Sequence, residues 1–329
     1  MRAIEVGKIA VIGSGSVGLY YAGKLAAQGA DVHFLMRSGF EEAREHGISI
    51  FSVHTKDVRL DHPKIFRNVR KIGPCDLVIV ALKATSNSAL EELVPPLLKE
   101  NTILLTLQNG LGNEEFLADL FGSERVLGGL CFVCLTRRSP ASVDHFGQGM
   151  LSIGEHERPP LKRTHLVVEA FRETGIDARL VGNLGAERWR KLVWNIPFNG
   201  LAVAAGGLTV DKILGDSLLN ARCRALMNET ISAGNALGYP IEKKYADLQI
   251  ERTYPMGAYQ PSTLVDWLAG RELEVEAIWG EPLRRAKKMG LSLPNLEQLY
   301  GRLRQLQAEA SPSNTPGDFE RPWISRRPD

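Results

Sequence analysis

The sequence predicts an α/β domain over residues 1–183, followed by an all-α domain over residues 184–310. Three observations predict this arrangement. Apolar runs typical of buried strands alternate with helical segments up to about residue 183, and beyond that point only helical periodicity follows. The third observation is a glycine-rich turn, G-x-G-x-x-G, between the first apolar run and a helical segment. Residues 311–329 are rich in proline, serine and charge, and we expect a loose tail there.

The glycine-rich turn follows a strand predicted at residues 8–12 and opens a helix that ends at Gly29. In this context Gly13 permits the tight turn, Gly15 lets the backbone approach a pyrophosphate, and Gly18 allows the helix to pack close to the strand. The first N–H groups of the helix and its positive dipole end then face the phosphates. The pattern predicts a Rossmann-type dinucleotide site; the alternative is a glycine-rich turn without a ligand. The predicted cofactor-binding residues of the turn are Gly13, Ser14, Gly15, Ser16, Val17 and Gly18.

The other elements of the first domain follow from the same alternation, which predicts a parallel, doubly wound sheet with right-handed crossovers. Further strands are predicted at residues 31–36, 48–53, 76–82, 102–107 and 126–133, and helices at about 87–99 and 113–121. Residues 141–181 are expected to add short strands and one helix near 161–173. In the second domain, helices are predicted at residues 185–204, 216–238, 263–269, 274–289 and 295–309.

Composition narrows the class of protein. The net charge is +2 with both signs mixed along the chain, so neither nucleic acid nor an anionic membrane is expected as a partner. The sequence contains no window of about 18 apolar residues, so no membrane-spanning helix is predicted. Four cysteines are too few for a disulfide framework at this length, and the N-terminus leads directly into the first strand. These features predict a cytoplasmic location.

The end of the second strand indicates which nicotinamide cofactor is used. An acidic residue at this point holds the ribose 2′-hydroxyl of NAD, whereas an arginine suits the 2′-phosphate of NADP. This strand ends in Met36-Arg37-Ser38, and Arg37 can pair with a phosphate bidentately. The sequence therefore predicts NADP(H) rather than NAD(H); the alternative is that Arg37 is a solvated surface residue.

Polar residues outside the glycine turn form a second candidate group. Lys83 and Asn109 follow predicted strands, where open α/β sheets bind their ligands. Lys191, Asn195 and Asn199 are spaced i, i+4, i+8, so they share one face of a largely apolar helix. Buried polar groups need partners, and a polar substrate would supply them. A domain-interface network without substrate is the alternative.

These motifs together resemble the ketopantoate reductase (2-dehydropantoate 2-reductase) family, and the resemblance extends to about residue 307. It implies an all-α C-terminal domain like that of 6-phosphogluconate dehydrogenase. Besides the glycine turn and Arg37, the matching motifs are Leu82-Lys83-Ala84, Gln108-Asn109-Gly110-Leu111-Gly112, Trp189-Arg190-Lys191 with Asn195, Glu274-Val275-Glu276-Ala277-Ile278, Gly280-Glu281-Pro282 and Gly290-Leu291-Ser292-Leu293-Pro294.

The resemblance also implies roles for individual residues. Lys191 corresponds to the proton donor, and Glu274 to a glutamate that reaches both the cofactor and this lysine. The implied cofactor contacts near the nicotinamide are Lys83, Asn109 and Cys134. The implied substrate contacts are Asn109, Lys191, Asn195, Asn199 and Thr263.

The chain departs from the family pattern at three positions, and Glu229 matches a further helix glutamate whose role stays open. Thr209 falls near a second asparagine of the family, Thr263 replaces a serine although Ser262 is adjacent, and Pro197 should bend the helix that carries Lys191. These departures leave the lysine chemistry intact but put the identity of the substrate in doubt.

The implied activity is the NADPH-dependent reduction of ketopantoate to pantoate, a step of pantothenate and coenzyme A biosynthesis. The expected partner is a small 2-oxo acid, and a homodimer stays open. Two alternatives remain: a paralogous reductase of another 2-oxo acid, and a protein that senses NADP(H) without turnover. No metal site is predicted, because Cys131 and Cys134 lack a second cysteine pair and the histidines are scattered.

Overall fold

The computed structural model describes residues 6–309. The chain divides into two compact units, the first ending at Leu184 and the second beginning at Gly185. The predicted order of an α/β fold followed by a helical one is confirmed. The expected tail at residues 311–329 lies outside the described residues.

A ten-stranded sheet is the centre of the first unit, and its order is β4-β3-β9-β8-β7-β6-β1-β2-β5, with β10 paired to β9. From β5 to β8 all neighbouring strands are parallel. The strands are β1 Lys8–Ile12, β2 Asp31–Leu35, β3 Ile48–Ser52, β4 Val58–Leu60, β5 Lys64–Phe66, β6 Leu77–Val80, β7 Ile103–Thr106, β8 Val126–Ser139, β9 Ser142–Glu155 and β10 Ala178–Leu180.

The prediction of a wholly parallel sheet is wrong from β8 onward. β8 and β9 are two 14-residue antiparallel strands, and β3 pairs with β4 in the same antiparallel sense. Only Pro140 and Ala141 separate β8 from β9, and so short a connection permits a hairpin but no parallel crossover. Residues 141–181 were expected to add only short strands, whereas β9 is a long strand that contains the glycines Gly147 and Gly149. The hairpin accommodates them through bulges in its register.

The helices of the first unit are α1 Ser16–Ala27, α2 Phe40–His46, α3 Leu90–Leu93, α4 Asn113–Phe121 and α5 Lys162–Arg172. The single helix predicted at residues 87–99 is wrong. A 3₁₀ segment, Ala84–Ala89, precedes the short α3, and a second one, Pro95–Leu97, follows it. Pro95 and Pro96 have no N–H group to continue the α-helical hydrogen bonding, so α3 ends before them.

Both faces of the parallel strands are buried, as expected when helices cover a sheet on two sides. On one face, Ile9 and Val11 of β1 belong to a core cluster that includes Leu19 of α1. On the other face, Ala10 and Ile12 belong to a cluster with α3 and α4. This packing holds the carboxyl ends of β1, β6 and β7 at one edge.

Within residues 185–309 the second unit contains helices and no strand. Two short helices, Val210–Gly215 and Tyr245–Thr253, were not predicted. The helix predicted at residues 274–289 is a π-helical turn, Glu276–Gly280, followed by an α-helix, Glu281–Lys288. The helices are α6 Leu184–Ala204, α7 Val210–Gly215, α8 Ser217–Ala236, α9 Tyr245–Thr253, α10 Ser262–Leu268, α11 Glu281–Lys288 and α12 Pro294–Glu309.

Helix α6 continues through Pro197 and spans 21 residues. Proline removes one bond of the helical ladder, to the carbonyl of Val193. The residue before the proline, Ile196, has a carbonyl oxygen that accepts a hydrogen bond of 2.9 Å from Trp279 Nε1. Among residues 6–309, the structure shows no helix with the length and hydrophobicity of a transmembrane segment.

Candidate active site

The glycine turn has the geometry that a dinucleotide site needs. Gly13 has a φ of +100°, and a Cβ at this position would overlap the Ala81–Leu82 peptide bond. A Cβ on Gly18 would overlap the carbonyl oxygen of Gly13, so this glycine lets α1 approach β1. Around Gly15, by contrast, no atom lies within 4 Å of the place where a Cβ would be. The chain itself requires the first and third glycines, and the second faces open space.

The N-terminus of α1 can accept an anion. Gly15 is its N-cap, no side chain caps the helix, and its first turn contains no acidic residue. Ser14 Oγ donates a hydrogen bond of 2.9 Å to the carbonyl of Leu35, which ties the turn to the end of β2. The N–H groups and positive dipole end of such a helix favour phosphate. With the open side at Gly15, these residues fit the pyrophosphate of a dinucleotide.

Arg37 lies two residues after the end of β2, and its side chain is exposed. It forms no hydrogen bond or ion pair with any residue between 6 and 309, whereas nearby Arg44 and Arg67 both pair with Glu41. A guanidinium without an acidic neighbour at this point suits a phosphate group.

Lys83 and Asn109 lie at the same edge of the sheet as the glycine turn. Each comes three residues after its strand, and the last residues of β6 and β7, Val80 and Thr106, are register partners. Val80 also pairs with Ile12, the residue before Gly13. The structure thus brings three of the predicted cofactor contacts, Gly13, Lys83 and Asn109, to one edge of the sheet. Lys83 is exposed and Asn109 is half-buried.

Cys134 lies on the part of β8 that extends past β7. The last pairing of these strands joins Thr106 to Gly128, so β8 continues beyond the edge where Asn109 lies. Cys134 is buried, and a Cβ on Gly147 would lie 3.3 Å from its Sγ. In the described part of the chain, no group of three or more His, Cys, Asp or Glu residues is arranged to hold a metal.

In the second unit, α6 carries two buried amides. Asn195 is 8% exposed and Asn199 is 2% exposed, with half-buried Lys191 on the same helix face. The Asn195 amide makes no hydrogen bond with any residue in the range 6–309. Asn199 Oδ1 accepts bonds from Thr263 N at 3.0 Å and Ser262 Oγ at 3.4 Å, while its Nδ2 donates none within that range. Neither amide nitrogen is among the fully buried side-chain atoms without a partner in this range, so both donors can be reached by a ligand.

The contact between Asn199 and α10 distinguishes two neighbouring hydroxyls. Thr263, the residue predicted to bind substrate, meets Asn199 through its backbone N–H, and its side chain is buried. Ser262 is exposed and brings its hydroxyl to the asparagine. Sequence reasoning selected Thr263 and noted Ser262 only as its neighbour; the capping of α10 by a residue 63 positions earlier has no local signal.

Glu274 is buried two residues before the π-helical turn, and its carbonyl oxygen accepts a bond of 3.1 Å from Ile278 N. The turn is tied to α6 through the bond from Trp279 to Ile196. π-helical turns occur frequently at functional sites. This arrangement links the segment that carries Glu274 to the helix that carries Asn195.

Glu229 and Thr209 serve the fold of the second unit. The Glu229 carboxylate accepts bonds from Asn295 N, Asn295 Nδ2 and Leu296 N, between 2.7 and 2.9 Å, and thereby caps α12. A carboxylate at a helix N-terminus satisfies N–H groups that the helix leaves free. Thr209 precedes α7 and donates its hydroxyl to Asp211. Both side chains are therefore accounted for by helix termini.

Comparisons with known proteins agree over nearly the whole chain. A family model described as "Ketopantoate reductase PanE/ApbA" matches residues 9–158, and "Ketopantoate reductase PanE/ApbA C terminal" matches residues 183–307. A 2-dehydropantoate 2-reductase of Nostoc sp. is 36% identical over 304 residues, covering 91% of this chain and 95% of the relative.

Solved structures show the same likeness. A 2-dehydropantoate 2-reductase from Geobacter metallireducens is 43% identical, covers 91% of this chain and 99% of its own, and has a TM-score of 0.88. The corresponding enzyme from Methylococcus capsulatus is 30% identical, covers 93% and 98%, and has a TM-score of 0.85.

Proposed function

Because this chain belongs to the ketopantoate reductase family, of NAD(P)H-dependent oxidoreductases acting on CH–OH groups, we propose that it reduces ketopantoate to pantoate with NADPH. Its relatives from Nostoc and Geobacter are named for this reaction. The alternatives are reduction of another 2-oxo acid and NADP(H) binding without turnover.

One observation carries the proposal. Asn195 and Asn199 are buried on the α6 face that also carries Lys191, and both keep hydrogen-bond donors unused within residues 6–309. A substrate with a carboxylate, a carbonyl and a distal hydroxyl would accept bonds from these donors, and the neutral amides would bind it without adding a further protein charge beside the lysine. Ketopantoate has these three groups. A helix face built only for packing would carry apolar side chains at these positions.

The residues of the first unit fit NADPH. The open side at Gly15 and the uncapped N-terminus of α1 would hold the pyrophosphate, and Arg37 would pair with the 2′-phosphate. Lys83, Asn109 and Cys134 would contact the nicotinamide side. When bound, NADPH supplies the hydride for the carbonyl carbon.

Lys191 supplies the proton in this proposal. As negative charge develops on the carbonyl oxygen of the substrate, the Lys191 ammonium stabilises that charge and donates its proton to the oxygen. The C=O group thereby becomes CH–OH, with one hydride on carbon and one proton on oxygen. Buried Glu274 would hold the lysine in position.

The substrate is tested by following NADPH oxidation with ketopantoate and with 3,3-dimethyl-2-oxobutanoate, which lacks only the distal hydroxyl. A site that binds this hydroxyl should prefer ketopantoate by at least about 10²-fold in kcat/KM, since unpaired buried donors oppose the analogue. Equal kcat/KM values, or turnover of a different 2-oxo acid only, would indicate a paralogous reductase. NADPH binding without oxidation of any acid would indicate a sensor.

The choice of cofactor is tested with Arg37→Ala. Loss of a charge-assisted bond should weaken NADPH binding by about 1.5–3 kcal/mol and leave NADH binding within about twofold. Arg59→Ala, an exposed arginine on β4 that pairs with Asp61, is the matched control. Equal losses for both cofactors would show that Arg37 does not contact the 2′-phosphate.

A further inference from the structure

Side chains at the carboxyl edge of the sheet form a directional chain of hydrogen bonds. Thr106 Oγ1 donates to Gln108 Oε1 at 2.9 Å, and Gln108 Nε2 donates to Asn87 Oδ1 at 2.7 Å. Asn87 Nδ2 then donates to Asn113 Oδ1 at 3.0 Å, and Asn113 Nδ2 donates to the carbonyl oxygen of Asn109 at 2.9 Å. The chain starts in β7 and ends on the backbone of a proposed cofactor and substrate contact.

The chain connects three separate segments. Gln108 follows β7, Asn87 lies in the 3₁₀ segment that begins directly after Lys83, and Asn113 is the first residue of α4. Asn87 is the central link, because it accepts from one segment and donates to the other. The loops that carry Lys83 and Asn109 are therefore joined by side chains that belong to neither proposed contact.

The series of hydrogen bonds has a fixed direction because the Asn109 carbonyl can only accept a bond, so Asn113 Nδ2 must face it. Gln108 is 3% exposed and Asn113 is 1% exposed, so an amide that turned over would leave buried groups unpaired. The segment they hold needs such support: Gly110 and Gly112 have φ values of +84° and +90° and add backbone freedom. The bond from Asn113 to the Asn109 carbonyl spans this glycine-containing segment.

We propose that Asn87 and Asn113 are positioning residues, which hold Asn109 and Lys83 in fixed relation at the cofactor edge. The inference rests on the proposed function for the roles of Asn109 and Lys83. It adds that the productive geometry of these two contacts depends on the hydrogen-bonded amides of Gln108, Asn87 and Asn113, which we call the relay. A change at Asn87 should therefore alter the position of the Asn109 backbone.

Asn87→Asp tests the relay because it keeps the shape of the side chain and the acceptor for Gln108 but removes the donor to Asn113. Asn113 then has to face a carboxylate with its Oδ1 or turn its amide and release the Asn109 carbonyl. Asn113→Asp removes the donor to Asn109 directly, at a helix N-terminus where a carboxylate is favoured. Asn101→Asp, at an exposed turn before β7, makes the same chemical change outside the relay.

Three quantities are measured on the full-length protein: the hydrogen exchange of amides 108–113 without ligand, the Kd for NADPH, and steady-state kinetics with ketopantoate. Both relay variants should exchange at least about fivefold faster in this segment. They should also bind NADPH about tenfold more weakly and lose about 10- to 100-fold in kcat/KM, as expected when a contact is displaced. Asn101→Asp should match the wild type in all three.

Partial unfolding would lower the active fraction without changing the Kd of the folded molecules, so a raised Kd distinguishes positioning from stability. Unchanged exchange in both relay variants, or faster exchange with an unchanged Kd, would overturn the inference. A wild-type protein that binds NADPH but does not reduce ketopantoate would overturn the proposed function instead, while exchange and Kd still test the relay.

Discussion

Lys191 and the two buried asparagines next to it on α6 are the residues on which the proposed chemistry depends most directly. Asn199 serves two purposes at once, since its Oδ1 caps α10 and its Nδ2 stays available. Asn195 makes no hydrogen bond within the described residues, so its amide is available to a ligand but caps no helix. The cation and these amides lie on a helix whose other faces are packed with Trp189, Leu192 and Phe198. Such packing keeps their side chains oriented.

Replacing Lys191 by alanine should separate catalysis from binding. A positioned general acid contributes about 10²- to 10⁴-fold, so kcat should fall by at least about 10²-fold. The Kd for NADPH should stay within about threefold, because in the proposed reaction the lysine acts on the substrate oxygen. Steady-state kinetics and a binding titration measure these two effects, and a melting curve shows whether the variant is folded. Lys212→Ala, an exposed lysine on α7, is the control. Turnover within tenfold of the wild type would remove Lys191 as the proton donor.

At the scale of elements, α6 is positioned by close packing against the π-helical turn and α12. A Cβ on Gly200 would lie 2.6 Å from Leu299 Cδ2 and 2.9 Å from Trp279 Nε1. Gly200 therefore makes room for the indole that binds the Ile196 carbonyl next to Pro197. Glycine has a low helix propensity, but at position 200 the contacts with Leu299 and Trp279 leave no room for a larger residue.

Two glycine-to-alanine substitutions in helices of the second unit should change stability in opposite directions. Gly200→Ala should lower the free energy of unfolding by about 1–2 kcal/mol, because overpacking outweighs the gain in helix propensity. Gly301→Ala in α12 has no atom within 4 Å of the new Cβ and should raise it by about 0.5–1 kcal/mol. Urea unfolding of the full chain measures both. Changes of the same sign would contradict the packing argument.

At the scale of the whole molecule, buried histidines couple the stability of the first unit to pH. His145 is 2% exposed; its Nε2–H donates to the Gln148 carbonyl at 3.0 Å, and its Nδ1 accepts from Ser52 Oγ at 2.8 Å. Burial lowers the pKa of His145 below its usual value of 6.5, and nearby His54 and Lys24 add to the effect. Burial also lowers the pKa of His33.

Acid should therefore destabilise this protein through these residues. A histidine of the unfolded chain takes up a proton near pH 6.5, whereas the folded one does so only at lower pH. The contribution of this histidine to the free energy of unfolding is therefore fully present above about pH 6.5 and declines below it. The fall in Tm between about pH 7.5 and about pH 5 should be smaller in His145→Gln than in the wild type. His165→Gln, at an exposed position of α5, should keep the wild-type fall. An identical fall in His145→Gln would exclude His145 as a contributor.

What the sequence determined by itself is local or periodic. The glycine turn depends on backbone geometry within six residues, Arg37 follows the strand next to it, and Lys191, Asn195 and Asn199 share a face because helical spacing alone puts them there. The order of an α/β fold and a helical fold likewise follows from hydrophobic periodicity and from connection lengths. These features need no knowledge of distant contacts.

Only the tertiary structure decided the features that join residues far apart in the chain. The capping of α12 by Glu229 spans 66 positions, the contact of Asn199 with Ser262 spans 63, and the bond from Asn87 to Asn113 spans 26. The parallel pairing of β9 with β3 likewise joins strands that lie far apart in the chain. A single residue gives no signal of such partners, because a hydrogen bond to a distant residue leaves no period or local spacing in the sequence.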